Sequence, residues 1–541
     1  MKEINYCEKC GHTGYIRIDD NTLTHCECYK STNALKTLYN QGLGYILERY
    51  TFDRYTTNTE MTKHLYKKAQ DYLNEKKKWF TILGQSGCVD CNTEYFNGKE
   101  WKKISNYNNN DLVLQYNPKT KESTLTKPIK YVNEPCEKLY QINTIRGSIN
   151  MCLSADHDFA YITSKGNMNK KQFSEVMELH KNNIQGFYGK VETAFNYNGK
   201  GIKLSENEIR LMCAVIADGS FIRNTNYCNV NVKKERKKER LRWLLKDYKY
   251  KEYIRKNGYS VFKFCPPRKE KEFTEFWYDC SNEQLKIIAD EVLYWDGTVN
   301  GKRKLFFSTS KKSADFVQFA FSATGHRSTI SIDNIERKKG GERKTCYRVN
   351  CVSSKSLVSM VSSNGRNKAT ITEIKPKDNR QYCFTVETGY LILRRNNRIF
   401  ITGNCGKTFL CISIINELLK QNKECYVVRW VEFVSQLNAY VNTEQYFDLM
   451  DKVKNYEVLY IDDFLKPLSS QNPTTADLRK AYEIIDYRLI NNKQTIISSE
   501  RSFDELISLD EATAGRIYQM SQNYLINLKK KEGGNLRLKN N

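Results

Sequence analysis

Residues 82–91 read ILGQSGCVDC, and residues 401–410 read ITGNCGKTFL. The first stretch supplies Gly84-Gln85-Ser86-Gly87 and stops; the second supplies Cys405-Gly406-Lys407-Thr408 with no glycine-rich approach. Read together they spell GQSGCGKT, which fits the phosphate-binding pattern G-x-x-x-x-G-K-[ST] at every fixed position. In such a loop the backbone N–H groups cradle phosphate oxygens, Lys407 reaches the β- and γ-phosphates of ATP, and Thr408 holds Mg²⁺. Trp79-Phe80-Thr81-Ile82-Leu83 reads as a buried strand entering the glycines, and residues 409–415 as an apolar helix leaving them. The outer pieces therefore predict a strand–loop–helix nucleotide site, interrupted at the centre of its most demanding loop.

A second element agrees. Val458-Leu459-Tyr460-Ile461-Asp462-Asp463 is an apolar strand ending in two carboxylates. Asp462 is expected to hold Mg²⁺ directly or through water, and Asp463 to orient or activate the attacking water. The strand at 495–499 ends in two serines able to sense a γ-phosphate. Arg516 is either an arginine supplied to a neighbouring subunit's nucleotide or a solvated helix arginine. At the amino end, Cys7-x2-Cys10 and Cys26-x-Cys28 form two short knuckles, a tetrahedral donor set for Zn²⁺, with His12 and His25 as alternative ligands.

The chain has 541 residues, enough for several domains, and carries 87 Lys+Arg against 62 Asp+Glu, a net charge of +25. That balance points to an acidic polymer, most simply nucleic acid, although runs such as Lys233–Lys238 also suit a solvated helix face. No run of eighteen uncharged apolar residues occurs, and MKEINYCEKC lacks a signal-peptide core, so a cytoplasmic protein with no membrane partner is expected. In that compartment the 18 cysteines read as metal ligands, nucleophiles or buried thiols rather than disulfides.

The insertion runs from Cys88 to Asn404, and its boundary residues are reactants. A Cys88 thiol can attack the Gly87 carbonyl, which glycine leaves uncrowded, giving a thioester. Cys405 can take the acyl group, Asn404 can cyclise and cut the chain before Cys405, and an S-to-N shift then joins Gly87 to Cys405. These junctions resemble those of an intein. Ser154-x-x-His157 resembles the family's T-x-x-H box, which implies that His157 protonates the departing amide nitrogen; the strand 382–386 resembles its carboxy-terminal box, putting Cys383 in an assisting position. Two departures stand out: Gly403 replaces the usual penultimate histidine, and residues 388–390 lack the last box's histidine.

Within the insertion, residues 211–220 (LMCAVIADGS) resemble the LAGLIDADG motif of homing endonucleases, with Asp218 at a helix end as a metal ligand. Residues 287–297 fit more loosely, matching Asp296 to Asp218 against bulky Tyr294 and Trp295, and Lys311 or Lys312 resembles the lysine that often follows. Two carboxylates about a pseudo-two-fold axis would cut both DNA strands, with β-ribbons near 301–309 and 343–352 on the duplex. The outer parts, through the knuckle, the split loop, YIDDF and ISSERSFDEL, resemble phage-type DnaC-like helicase loaders of the AAA+ class. The resemblance implies an α/β fold with a parallel sheet and flanking helices, ATP, self-association, and single-stranded DNA and a replicative helicase as partners; the endonuclease implies double-stranded DNA, in the form of the uninterrupted gene.

The expected organisation is a zinc knuckle at 1–31, host ATPase at 32–87, an all-β splicing domain at 88–195, an α+β endonuclease at 196–362, the rest of the splicing domain at 363–404, and host ATPase at 405–541. The competing reading is an unspliced DNA-binding ATPase whose insertion is a permanent domain.

Overall fold

Val458–Asp462 is apolar on both faces because the strand is buried on both. Val458 and Tyr460 face one core with Phe80, Ile82, Leu410 and Ile414; Leu459 and Ile461 face another with Trp79, Leu83, Trp430 and Ile485. Such two-sided burial turns the usual alternation into a continuous apolar run. The strand belongs to a five-stranded, wholly parallel sheet in the order Cys425–Arg429, Val458–Asp462, Gln494–Ser499, Phe80–Leu83, Leu525–Asn527. Phe80–Leu83 comes from before the insertion and pairs with strands that come after it, so the host sheet is assembled with the insertion in place. The computed structural model describes residues 7–11, 13–19, 22–55, 57, 60–75, 77–84, 87–144, 147–181, 189–337, 341–352, 356–360, 369–403, 406–466 and 472–528.

The two ends of the insertion build one β-rich unit. Tyr390–Arg395 pairs with Thr93–Phe96 and Val113–Tyr116, Arg380–Thr385 with Lys130–Pro135, and Thr370–Ile374 with Leu139–Asn143. Their inward residues, among them Tyr95, Ile142, Met151, Phe384 and Phe400, form a single core. The unit is not purely β: Phe173–Lys181 is a helix whose Phe173 and Val176 enter that core. Its helical spacing of apolar residues sits between lysines and escapes notice beside so many alternating strands.

The middle of the insertion contains the same motif twice. Helix Glu206–Asp218 leads into strands Gly219–Phe221 and Cys228–Val232, helix Glu235–Leu244, and strands Tyr250–Ile254 and Ser260–Phe264. Helix Asn282–Asp296 leads into Gly297–Asn300 and Arg303–Ser308, helix Lys311–Ala323, and Arg327–Arg337 and Gly341–Val352. In both, the first strand pairs with the second, the second with the fourth and the fourth with the third. Both first helices start at a serine capping box, Ser205 with Glu208 and Ser281 with Gln284, and they pack on each other. Among the described residues no helix is long and apolar enough to cross a membrane.

Candidate functional site

At the amino-terminal junction three elements meet around one peptide bond. The Cys88 N–H donates to Ser154 Oγ at 2.9 Å, and the Ser154 N–H donates to the Cys88 carbonyl at 2.9 Å. A Cβ on Gly87 would lie 2.1 Å from His157 Cα, so only glycine lets the scissile carbonyl lie this close to the box. His157 is buried and its Nε2 lies 2.5 Å from Thr402 Oγ1, which ties the first junction to the insertion's last strand. Burial pushes the imidazole down to about 4, against an opposing pull from the Gly87 and Cys88 backbone. At neutral pH the imidazole is therefore uncharged.

Cys88, Val132 and Cys383 form a separate small buried cluster. The neighbouring Cys383 thiol, then burial, then the Glu134 and Glu500 carboxylates push the Cys88 thiol well above its ordinary range. Backbone pairing of Val89 with Tyr382, at 2.8 and 2.9 Å, fixes that neighbourhood. Thr402, Val132 and Glu134 carry no local signal in the sequence; only the fold brings them here.

Gly403 is closed in. It pairs with Tyr390, and a Cβ there would sit 2.7 Å from the Asp158 carbonyl oxygen and 2.9 Å from Lys170 Cδ. Lys170 donates to the Gly389 carbonyl at 2.6 Å, lies 4.2 Å from the centre of the Tyr390 ring, and is 3.9 Å from Asp158. The space around Gly403 is thus filled by a lysine and an aspartate from neighbouring strands. Gly403→His is expected to destabilise this packing, because overpacking against backbone costs about 1–3 kcal/mol. Thermal unfolding of the full chain checks this; an unchanged midpoint contradicts it. Asn404 and Cys405, like Gln85, Ser86 and His12, lie outside the described residues.

The nucleotide elements gather at the carboxyl ends of the parallel strands, where such sheets place ligands. Gly406, at φ 67°, caps the helix Lys407–Lys420. The Lys407 ammonium donates to the Gly84 carbonyl. Asp462 accepts from Thr408 at 3.3 Å, Tyr460 at 2.7 Å and Ser498 at 2.5 Å. Beside it a cavity of about 280 Å³ is walled by Thr408, Asp462 and Asp463 from the host and by Ile129, Lys130 and Tyr131 from the insertion. Arg516 is held within its own subunit by Asp486 at 2.6 Å and Tyr482 at 2.7 Å.

In the duplicated unit Asp218 ends one long helix and Asp296 the other, close enough that the Asp218 charge, after burial, raises the Asp296 carboxyl. Two lysines beside them, Lys237 and Lys271, carry no signal in the sequence. Lys237 contacts Asp218 at 2.5 Å, and Lys271, whose pKa burial lowers against the opposing pull of Asp296 and Asp218, donates to the last carbonyls of the first helix, including Ile216 at 2.6 Å. Lys311 instead pairs with Asp315, which also binds Arg394 at 2.5 Å, and Lys312 lies 3.6 Å from Glu272. Tyr294 and Trp295 do not obstruct the helix crossing: Tyr294 donates to the Arg236 carbonyl at 2.5 Å and Trp295 to Glu291 at 3.0 Å.

At the amino end the Cys7 and Cys26 sulfurs are 3.7 Å apart and those of Cys10 and Cys28 3.3 Å, with all four within 4.8 Å of one another. Tetrahedral zinc with Zn–S bonds of about 2.3 Å needs sulfurs about 3.8 Å apart, so the donor set fits. His25 stacks on Tyr29 with ring centroids 3.7 Å apart and is not part of that set.

Residues 388–520 match the bacterial DnaA ATPase domain, so the carboxy-terminal part of the chain is a DnaA-like AAA+ ATPase domain. The chain is 37% identical over 137 residues to the uncharacterized protein YqaM of Bacillus subtilis, covering 24% of this chain and 43% of that protein. It is 24% identical over 462 residues to ribonucleoside-diphosphate reductase subunit beta of Aquifex aeolicus, covering 75% of this chain and 64% of that one. The chain thus spans about two-fifths to two-thirds of these relatives. Among solved structures it is similar to a splice-inactive variant of the AceL NrdHF class 3 split intein, at 10% identity and TM-score 0.22, over 59% of this chain and 98% of that one.

Proposed function

We propose that the chain is a self-splicing precursor: residues 88–404 excise themselves, and Gly87 is joined to Cys405 to complete a nucleotide-binding loop. The observation that carries this reading is the convergence of Ser154, His157 and Cys383 on the Gly87–Cys88 peptide. The Cys88 sulfur attacks the Gly87 carbonyl carbon and the C–N bond breaks. The thiol proton, carried by neutral His157, ends on the freed amine that Ser154 holds. The Cys405 thiol then accepts the Gly87 acyl group and returns the Cys88 thiol. The Asn404 side-chain nitrogen attacks its own carbonyl, breaking the bond to Cys405 and leaving a cyclic imide on the insertion. The freed Cys405 amine finally takes the acyl group from its own sulfur.

Intact-mass analysis of the expressed protein tests this. Two products are expected, one the ligated segments 1–87 and 405–541, the other the segment 88–404. A single persistent full-length species sinks the splicing reading in favour of a permanent insertion.

The duplicated αββαββ unit supports a second activity, double-stranded DNA cleavage, with Asp218 and Asp296 holding divalent ions at the helix ends. Cutting of DNA bearing the uninterrupted loop-coding sequence is expected in Mg²⁺, and Asp218→Asn should abolish it; no cutting by wild type rejects a nuclease. For the ligated host, the DnaA-like domain and the Thr408–Asp462–Ser498 cluster support ATP and Mg²⁺ use. The sulfur cluster supports bound Zn²⁺. Self-association, single-stranded DNA and a replicative helicase complete the reading as a helicase-loading ATPase.

A further inference from the structure

Insertion and host meet at a group of buried charges. Strand Lys130–Pro135 of the insertion lies antiparallel to Arg380–Thr385, with Val132 opposite Cys383, and Val132 packs with Cys88 and Cys383. Alternate residues of a strand share a face, so Lys130 and Glu134 flank Val132 on the side that carries the first nucleophile. Both reach into the host. The Lys130 ammonium lies 2.6 Å from Asp463 and 2.8 Å from Glu500. Glu134 pairs with Lys466, whose ammonium is also 3.2 Å from Glu500 and 3.7 Å from Asp463. None of these five side chains is more than 25% exposed. A half-formed network of this kind is unfavourable, because breaking one buried pair leaves a charge without its partner.

We propose that the host carboxylates Asp463 and Glu500 are positioning groups for the first splicing step: by holding Lys130, and Glu134 through Lys466, they seat the strand whose Val132 backs the Cys88 thiol. The inference rests on the splicing reading and adds that the insertion reacts at a rate set by the folded host. It also orders events. Asp463, Lys466 and Glu500 follow the insertion in the chain, at the ends of the second and third strands of the host sheet. The insertion therefore gains its support only after the carboxy-terminal host segment has been made and folded, and ligation then joins two halves already side by side.

The test uses the full chain with Asn404→Ala, so that the reaction stops after the first junction is activated. Cleavage between Gly87 and Cys88 is timed in dithiothreitol. Lys130→Met and Glu500→Gln are each expected to slow it by about ten- to a hundredfold, the scale of a slight misplacement of reacting groups. Lys130→Arg should restore the wild-type rate, and the charge exchange Lys130→Glu with Glu500→Lys should react faster than either single replacement. Lys138→Met, removing a half-exposed ammonium that pairs with Glu373 inside the insertion, should leave the rate unchanged. Wild-type rates in Lys130→Met and Glu500→Gln, or a charge exchange no faster than its singles, overturn the proposal while splicing stands. No thiol-dependent cleavage in the otherwise wild-type chain sinks the splicing reading itself.

Discussion

Replacing Cys88 and Asn404 together with alanine is expected to leave the chain entirely at full length. Each residue supplies an attacking atom that no neighbour can provide. Cys383 touches Cys88, but it enters from a different strand, and its acyl product would not sit on the insertion's first residue. The single replacements separate the two ends. Cys88→Ala removes the sulfur that attacks Gly87, yet Asn404 can still cyclise, so the expected product is a released segment 405–541. Asn404→Ala keeps the first junction reactive, so added thiol should release the segment 1–87. Loss of a covalent nucleophile removes the pathway rather than slowing it, and about a thousandfold or more should be lost from each affected step. Unchanged product bands in the double variant would falsify the assignment of both residues.

Much of this was legible because chemistry demands residue types at fixed spacing. Lys407 and Thr408 are recognisable at any distance from Gly84, since the pattern is incomplete without them. Cys7, Cys10, Cys26 and Cys28 announce a donor set by their pairing, and their sulfurs lie within 4.8 Å of one another. Asp218 and Asp296 were found as helix-end carboxylates, yet the duplication around them was only half visible. The two repeats share strand order, and in the second Tyr294 and Trp295 stand where small residues are expected, with partners Arg236 and Glu291 that only the fold supplies. What remained illegible depends on chain segments far apart in sequence. Lys237 and Lys271 look like any other lysines in a basic run, and nothing in KYVNEP (130–135) marks Lys130 as the partner of a carboxylate 333 residues away. Gly403 could be noticed as a departure, but the reason for it, the Asp158 carbonyl and Lys170 stem pressed against it, exists only in three dimensions.

The trapped precursor, Cys88→Ala with Asn404→Ala, is expected to bind ATP at least about a hundredfold more weakly than the ligated host. A phosphate-binding loop works by aiming consecutive backbone N–H groups at one anion, and here the run is severed after Gly87, whose backbone is pressed against His157. The charge that should meet the phosphates, Lys407, and the carboxylate that should orient the water, Asp463, are also committed elsewhere. The Lys407 ammonium donates to the Gly84 carbonyl, and Asp463 is held by Lys130 at 2.6 Å. Hydrogen bonds to charged groups contribute roughly 1.5–3 kcal/mol each, so losing one phosphate contact from Lys407 and one from the severed N–H run amounts to about 3 kcal/mol or more, which is at least about a hundredfold in affinity. Calorimetric titration of ATP with Mg²⁺ into the two forms measures the difference directly. Equal affinities would mean that the halves of the loop already act together across the insertion, and that splicing completes the covalent chain without creating the site. A large difference makes ligation the step that switches the host on. Any exit of the insertion other than clean excision would remove Gly87 or Lys407 from the loop.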